Sequence, residues 1–233
     1  MTMQDRRAER ELRRARRKYM RKFRPGSPSW LVHRIMRKFL KAEAAECSGK
    51  LLDVGCGWKP YRDLFEHVEY VGVDTEQGYG MSLADKIGDA RKLPFEDGSF
   101  DVVMLNQLLE HVFEPWDVLA EARRVLRPGG RLIVTVPFLF GLHQAPTDFW
   151  RFTEYGLRML LEKLEFEVDK VVPMAGFWTM AATGFGYWLA DRWLPGLVKR
   201  AVCFGAHVCA LGLDAVWPKR ENAWNLLAVA WKT

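Results

Sequence analysis

Lys50-Leu51-Leu52-Asp53-Val54-Gly55-Cys56-Gly57 decides how this chain is read. Leu51, Leu52 and Val54 form the short apolar run of a buried parallel strand. Gly55 and Gly57 follow at once, and glycine lets a chain turn tightly and lets its backbone approach a ligand. Pro60 suits the first position of a helix, where no N–H is needed. Strand, bare turn and helix N-terminus together predict a site for the polar end of a nucleotide-like cofactor. Taken alone, the same residues also fit a glycine turn without a ligand.

Around that stretch, 233 residues with 49% hydrophobic and 27% charged side chains make one globular domain with a sizeable core. The net charge of +6 is unevenly placed. Residues 1–24 hold 11 Lys and Arg against Asp5, Glu9 and Glu11, a net of +8, which leaves −2 for the rest. The predicted organisation is a basic N-terminal arm over 1–28 and a domain over 29–233. Such an arm reads as a solvated tail, or as attracted to anionic lipid headgroups or to nucleic-acid phosphates. Cys47, Cys56, Cys203 and Cys209 show no metal-binding spacing and read as reduced thiols. With no apolar leader, a cytoplasmic location is expected.

Downstream, strands and helices alternate. Helices are predicted from Ser29, as N-cap, to about Glu46, then over 60–67, Trp116 to Leu126 and Thr153 to Lys163. Strands are predicted over 69–74, 86–89, 100–106, 131–137, 166–172 and 224–231. This alternation implies a parallel sheet with helices on both faces and an antiparallel pairing of the last two strands. Between those strands lies an apolar insertion, 174–222. Residues 174–190 carry no charge, a second apolar run covers Ala201 to Leu213, and six glycines weaken both as helices. Neither run reaches the roughly 20 residues of a membrane-spanning helix. Three readings stay open: a lid, a hairpin dipping into one leaflet with Trp188, Trp193 and Trp217 at the interface, or a dimer surface.

Acidic residues end the next strands. Asp74 follows Gly57 by 17 residues, where a carboxylate, with acceptors only, takes hydrogen bonds from two ribose hydroxyls. Asp89, beside Ala90, can accept from an adenine amino group. These pieces, with Leu93 to Asp101, Leu109-Glu110-His111-Val112 and Val125 to Gly130, resemble the class I S-adenosylmethionine-dependent methyltransferases. Within them, the chain is most similar to the branch of small-molecule enzymes that includes quinone methyltransferases. The resemblance covers about 48–172 and 224–232. It implies an α/β, Rossmann-like, seven-stranded, mostly parallel sheet with a reversed edge hairpin. It also implies an enzyme using S-adenosyl-L-methionine. Asp53, Gly55 and Gly57 would line the methionine end, Asp74 would bind the ribose, Asp89 and Ala90 would border the adenine, and Asn106 would lie beside the transferred methyl.

Two departures stand out. Trp58-Lys59-Pro60 replaces a third glycine, which together with the Leu93 to Asp101 loop counts against a dinucleotide site. Some quinone O-methyltransferases carry a Glu four residues before the His of the Glu-His pair and use it for a metal; Gln107 stands there, so no metal is expected. The loop after the fifth long strand, Phe138 to Thr153, hangs over the place of the sulfonium. Its aromatic composition with few polar points suits an acceptor pocket. His143 is the expected catalytic base, Asp148 its orienting partner or acceptor holder, and Arg151 a site for an anionic acceptor group. The alternative is that these three only tie the loop down, and His111 reads as a loop-ordering residue.

The expected activity is methyl transfer, at oxygen, to a small or lipid-linked acceptor of saccharide or isoprenoid type. The expected setting is peripheral, on the inner membrane face. An RNA methyltransferase tethered by the basic arm and a non-catalytic cofactor-binding scaffold are the alternatives, and an oligomer through 174–222 is a further expectation.

Overall fold

A computed structural model describes residues 14–15, 17–75 and 82–233. Half of the basic arm, residues 1–13 and 16, and the segment 76–81 therefore lie outside the described residues. The described end of the arm is helical over 17–20 and passes through a 3-10 turn, Arg21–Phe23. Its Tyr19 ring stacks on Trp58, 5.9 Å away, beside the glycine turn.

The strands are β1 (Lys50–Val54), β2 (Glu69–Asp74), β3 (Lys86–Ile87), β4 (Phe100–Asn106), β5 (Leu126–Pro137), β6 (Phe166–Met174) and β7 (Asn225–Lys232). They form one sheet in the order β3-β2-β1-β4-β5-β7-β6. Pairing is parallel except for β7, which runs antiparallel to both β5 and β6. This is the Rossmann-like fold with a reversed edge hairpin that the resemblance implied. The carboxyl ends of β1, β2, β4 and β5 consequently share one edge, where ligands bind in open α/β sheets.

Helices cover the two faces: α1 (Trp30–Ala44), α2 (Pro115–Val125), α3 (Glu154–Lys163), α4 (Phe177–Ala190) and α5 (Gly196–Val216). Alternation along the strands divides the core in two. Leu52, Val54, Val103, Leu105, Val134 and Val136 pack with Leu119 of α2 and with Leu157 and Leu161 of α3. Leu51, Val102, Met104, Ile133 and Leu227 pack with Leu31, Met36 and Leu40 of α1 and with Ala182 and Ala210 of α4 and α5. In the middle of β5, Arg131 is paired with Glu43 of α1 at 2.6 Å, with Lys170 2.9 Å from the same carboxylate. Breaking so buried a pair costs about 3–5 kcal/mol.

Several expectations need correction. No α-helix follows the glycine turn. Lys59 adopts a left-handed φ of 48° and its N–H bonds the Cys56 carbonyl, so the chain reverses before Pro60 and leaves only a 3-10 turn, Arg62–Leu64. That turn sends Tyr61 and Phe65 into the α1 side of the core. Strand β3 stops at Ile87, two residues before Asp89, which forms an isolated bridge with Lys92. Ser29 precedes α1, but its hydroxyl bonds the Lys22 carbonyl and not the helix. Thr153 does cap α3, accepting from the Gly156 N–H at 3.0 Å.

The insertion is helical despite its glycines. Tertiary packing overrides their propensity: Gly186 lets α4 lie against Pro28 and His207, and Asp214 of α5 accepts the N–H groups of Gly176, Trp178 and Thr179 at the start of α4. Because α5 begins at Gly196, it extends to 21 residues and is long and apolar enough to cross a membrane. The run counted from Ala201 missed its first turn.

Candidate active site

The donor side is built locally. Gly55 and Gly57 both have left-handed φ, 71° and 47°. The N–H groups of Gly55 and Cys56 bond the Val73 carbonyl, and the Gly57 N–H donates to Asp74 Oδ2 at 2.9 Å. The turn is thereby pinned to the end of β2. Among the described residues, a Cβ on Gly57 would meet nothing within 4 Å, whereas one on Gly55 would come within 2.8 Å of the Leu108 side chain. Gly57 therefore opens onto the space at the strand ends, and Gly55 serves the contact with the chain leaving β4. Asp74 also accepts from Ser82 Oγ and from the Thr75 N–H, which orients its carboxylate at the rim. An open glycine turn with an acid of the second strand bonded to it fits S-adenosylmethionine: Gly57 would face its methionine end and Asp74 its ribose hydroxyls.

Three donor-side expectations change. Asp53 shares a face with Leu51 and Tyr70 and is buried; the Tyr70 hydroxyl donates to it. Burial raises its pKa to about 7, and it supports the turn from below. Lys59 folds over Gly72 and pairs with Asp85 at 2.5 Å, in the place where a helix was expected. Asp89 is exposed and already holds the Arg91 side chain at 2.8 Å, so an adenine amino group must share or displace that partner. Ala90, beside it, packs on the core.

The acceptor side is assembled from two loops. Asn106 ends β4, its Oδ1 accepting from Thr135 Oγ1 at 2.7 Å. Gln107 is also turned to Thr135, its Nε2 lying 3.4 Å from Thr135 Oγ1 and its backbone N–H donating to the Thr135 carbonyl. The chain then makes a 3-10 turn, Leu109–His111, and meets the loop after β5. The Phe149 N–H bonds the Glu110 carbonyl, Trp150 Nε1 bonds the Val112 carbonyl, and His111 Nδ1 lies 2.6 Å from the Thr147 carbonyl. On its other flank the loop is held by Trp224, through the N–H groups of Phe138 and Leu139, and Phe140 rests on Trp224 and on Tyr187 of α4.

His143, Asp148 and Arg151 do come together, as the sequence predicted. Asp148 has its side chain fully buried. It accepts from the His143 N–H at 2.8 Å and lies 3.2 Å from His143 Nδ1. Both of its oxygens take the Arg151 guanidinium, which holds its pKa well below the usual carboxylate range. Burial lowers the His143 pKa, so the imidazole is neutral near pH 7; with Nδ1–H directed to Asp148, the Nε2 lone pair stays available. Arg151 is different. Its remaining donors go to the carbonyls of Phe140, Gly141 and Trp150, so no N–H is left for an anionic acceptor group. Its role is to anchor Asp148 and the loop.

One residue of this wall escaped the sequence reading. Glu110 is fully buried and, among the described residues, neither carboxylate oxygen has a hydrogen-bond partner; burial pushes its pKa up to about 8. Only its adjacency to His111 hinted at a role. A cleft between α1, β6 and α5 includes none of the predicted site residues; the site follows from the strand ends.

Comparison with known proteins bears on the donor side. Residues 52–134 match the family model described as a methyltransferase domain. Among curated relatives, the 27-O-demethylrifamycin SV methyltransferase of Amycolatopsis mediterranei is 35% identical over 36% of this chain and 36% of its own. The ubiquinone/menaquinone biosynthesis C-methyltransferase UbiE of Roseobacter denitrificans is 34% identical over 44% of this chain and 48% of its own. An uncharacterized 37.1 kDa transposon protein of Streptomyces fradiae is 54% identical over 44% of this chain and 33% of its own. The chain thus spans about a third to a half of these relatives' length. Among solved structures, a SAM-dependent methyltransferase of Thermotoga maritima superposes with a TM-score of 0.59, 18% identity and coverage of 93% and 96%. A geranyl diphosphate methyltransferase in complex with SAM gives 0.56, 16%, 90% and 93%. At these identities the likeness is one of fold.

Proposed function

From a methyltransferase domain over residues 52–134 on the class I S-adenosylmethionine-dependent fold, we propose that this chain methylates a hydroxyl of a small or lipid-linked acceptor. One observation carries the reading. A buried carboxylate, Asp148, holds a neutral histidine, His143, in a loop stitched to the chain that leaves β4. S-adenosylmethionine supplies an electrophilic methyl on a sulfonium, which departs as a neutral thioether. The chain's own part is alignment, exclusion of water and removal of the acceptor's proton. His143 Nε2 takes that proton, Asp148 keeps the ring in the required tautomer, and Asn106 sits at the strand end between donor and acceptor.

The lipid-linked part of the reading is supported by α4 and α5. With the turn between them and the residue after α5, they leave Trp188, Trp193, Leu197, Val202, Phe204, Val216 and Trp217 exposed, and only 17% of the apolar window of α5 is buried. Aromatic and aliphatic side chains in such an arrangement dock into the headgroup boundary, and the Lys- and Arg-rich arm would add attraction to anionic lipid. Phe140 touches Tyr187 of α4, so an acceptor delivered from the bilayer would arrive beside the acceptor loop.

The test is methyl transfer from labelled S-adenosylmethionine into a cell extract that is then partitioned into lipid, saccharide and RNA fractions. Label in the lipid or saccharide fraction, released as an O-methyl group, is the expected result. Label confined to RNA, or bonded to carbon, overturns it. Flotation with anionic vesicles at low salt tests the docking separately.

A further inference from the structure

The acceptor wall brings together three side chains of one chemical kind. Glu110, His111 and His143 each offer one ligand atom, and these atoms lie within 4.8 Å of one another. Glu110 is contributed by the 3-10 turn after β4 and His143 by the loop after β5, 33 residues on. Three features separate this cluster from an ordinary polar contact. First, the Glu110 carboxylate is fully buried, faces the two imidazoles and, among the described residues, has no hydrogen-bond partner on either oxygen. A buried carboxyl in that state is normally protonated, paired or bound to a metal. Second, His111 Nδ1 is held by the Thr147 carbonyl at 2.6 Å, which turns Nε2 toward Glu110, 3.8 Å from Oε1. Third, His143 Nδ1 faces the Asp148 carboxylate at 3.2 Å and the Gly141 carbonyl at 3.3 Å, which likewise directs Nε2 as the lone pair. A backbone carbonyl behind one imidazole and a carboxylate behind the other are the outer partners that metal-ligating histidines have.

We propose that Glu110, His111 and His143 form a binding site for one divalent cation of the zinc class. Two imidazole nitrogens and one carboxylate oxygen are a ligand set for such ions that leaves coordination positions open. Bonds of about 2.0–2.2 Å require the ligand atoms to close to about 3–3.6 Å, a movement within reach of side-chain rotation. The carboxylate loses its unpaired state, and Asp148 acts as the positioning residue behind His143. The open positions face the acceptor side of the loop and take an oxygen ligand. The site itself stands on these side chains alone; its use in methyl transfer rests on the function proposed above. With a cation bound, the His143 lone pair would be a ligand and His143 would no longer be the base; the cation would lower the pKa of a bound acceptor hydroxyl, whose proton would pass to water.

The full chain, stripped with chelator, is titrated with Zn²⁺ by calorimetry and with Co²⁺ by visible absorption. One equivalent per chain is expected, with Co²⁺ ligand-field bands of a four- or five-coordinate site. E110Q and H143A should each weaken binding at least tenfold, and D148N by about 10–100-fold with the ligands intact. Melting curves check folding; if E110Q does not fold, H143A, in the loop after β5, carries the comparison. No uptake by the wild type, or undiminished uptake by E110Q and H143A, overturns the site. Cation uptake without methylation of any acceptor leaves the site and removes the proposed function. Methyl transfer undiminished in chelator, with no uptake, does the reverse.

Discussion

The donor and acceptor halves of the site lie at the same sheet edge but are made in different ways. On the donor side, Gly55, Gly57 and Asp74 are joined by backbone bonds between two neighbouring strands. On the acceptor side, Glu110, His111, His143 and Asp148 meet only because two long loops are stitched together across the strand ends. A locally built half tolerates change around it and fails when its own few residues change. A half assembled from distant loops can be disturbed by any of its anchors.

The sharpest way to break this comparison is at Asp74. Asp74→Ala removes the acceptor for the ribose hydroxyls and unpins Gly57, so affinity for S-adenosylmethionine should fall by about 100-fold or more, from charge-assisted bonds of about 1.5–3 kcal/mol each. Calorimetry with the cofactor checks this, and the His143 imidazole signals should not move. If they move, the halves are coupled. Asp148→Ala should do the opposite: cofactor affinity stays within about twofold, while turnover drops by about 10²–10⁴-fold as the base loses its orientation. Equal loss of cofactor binding would contradict the separation.

The glycines sharpen the donor half. Gly55→Ala meets the Leu108 side chain and a left-handed φ, and should destabilise the fold by about 1–3 kcal/mol by thermal melting. Gly57→Ala carries the φ penalty alone, but places a methyl in the open cradle and should weaken cofactor binding more than stability.

Asp53 predicts a pH effect. Its folded pKa, about 7, exceeds that of an unfolded carboxylate. Between about pH 4 and pH 7 the folded state therefore keeps a proton that the unfolded state has lost. Stability should fall as pH rises through that window, by at most about 1.4 kcal/mol per unit, and level off above it. Asp53→Asn should flatten that slope in melting curves recorded from pH 4 to 8; an unchanged slope would assign it elsewhere. The smallest effect belongs to the acceptor half's outer wall. Replacing Trp193 and Leu197 together by Glu should lower partition onto anionic vesicles, read by flotation, by about tenfold and leave cofactor affinity as it is.

The donor half was legible because its signals are local. Positive φ at Gly55 and Gly57 is a property of residue type, and Asp74 lies at the end of a strand whose period was plain. What failed there was the helix after the turn. Pro60 is compatible with a helix start, but Lys59 reverses the chain first, and a side chain at Gly72 would have blocked that path. On the acceptor side, the meeting of His143, Asp148 and Arg151 was legible because they lie within nine residues of one another. How Arg151 spends its donors was not, since three of its bonds go to backbone carbonyls whose direction only the folded loop sets. Glycine content also misread α4 and α5, because propensity is weak against packing on α1 and the Asp214 cap.

By itself, then, the sequence determined the sheet, its reversed edge strand, the glycine turn and the acid on the second strand. These follow from apolar periodicity and from backbone freedoms that belong to single residues. Only the tertiary structure decided what faces the acceptor. It buried Asp53 under the turn, used up Arg151 on the loop, and brought an unpartnered Glu110 against His111 and His143. Burial and unmet hydrogen bonds are properties of surroundings, and the surroundings of Glu110 come from a loop more than thirty residues away.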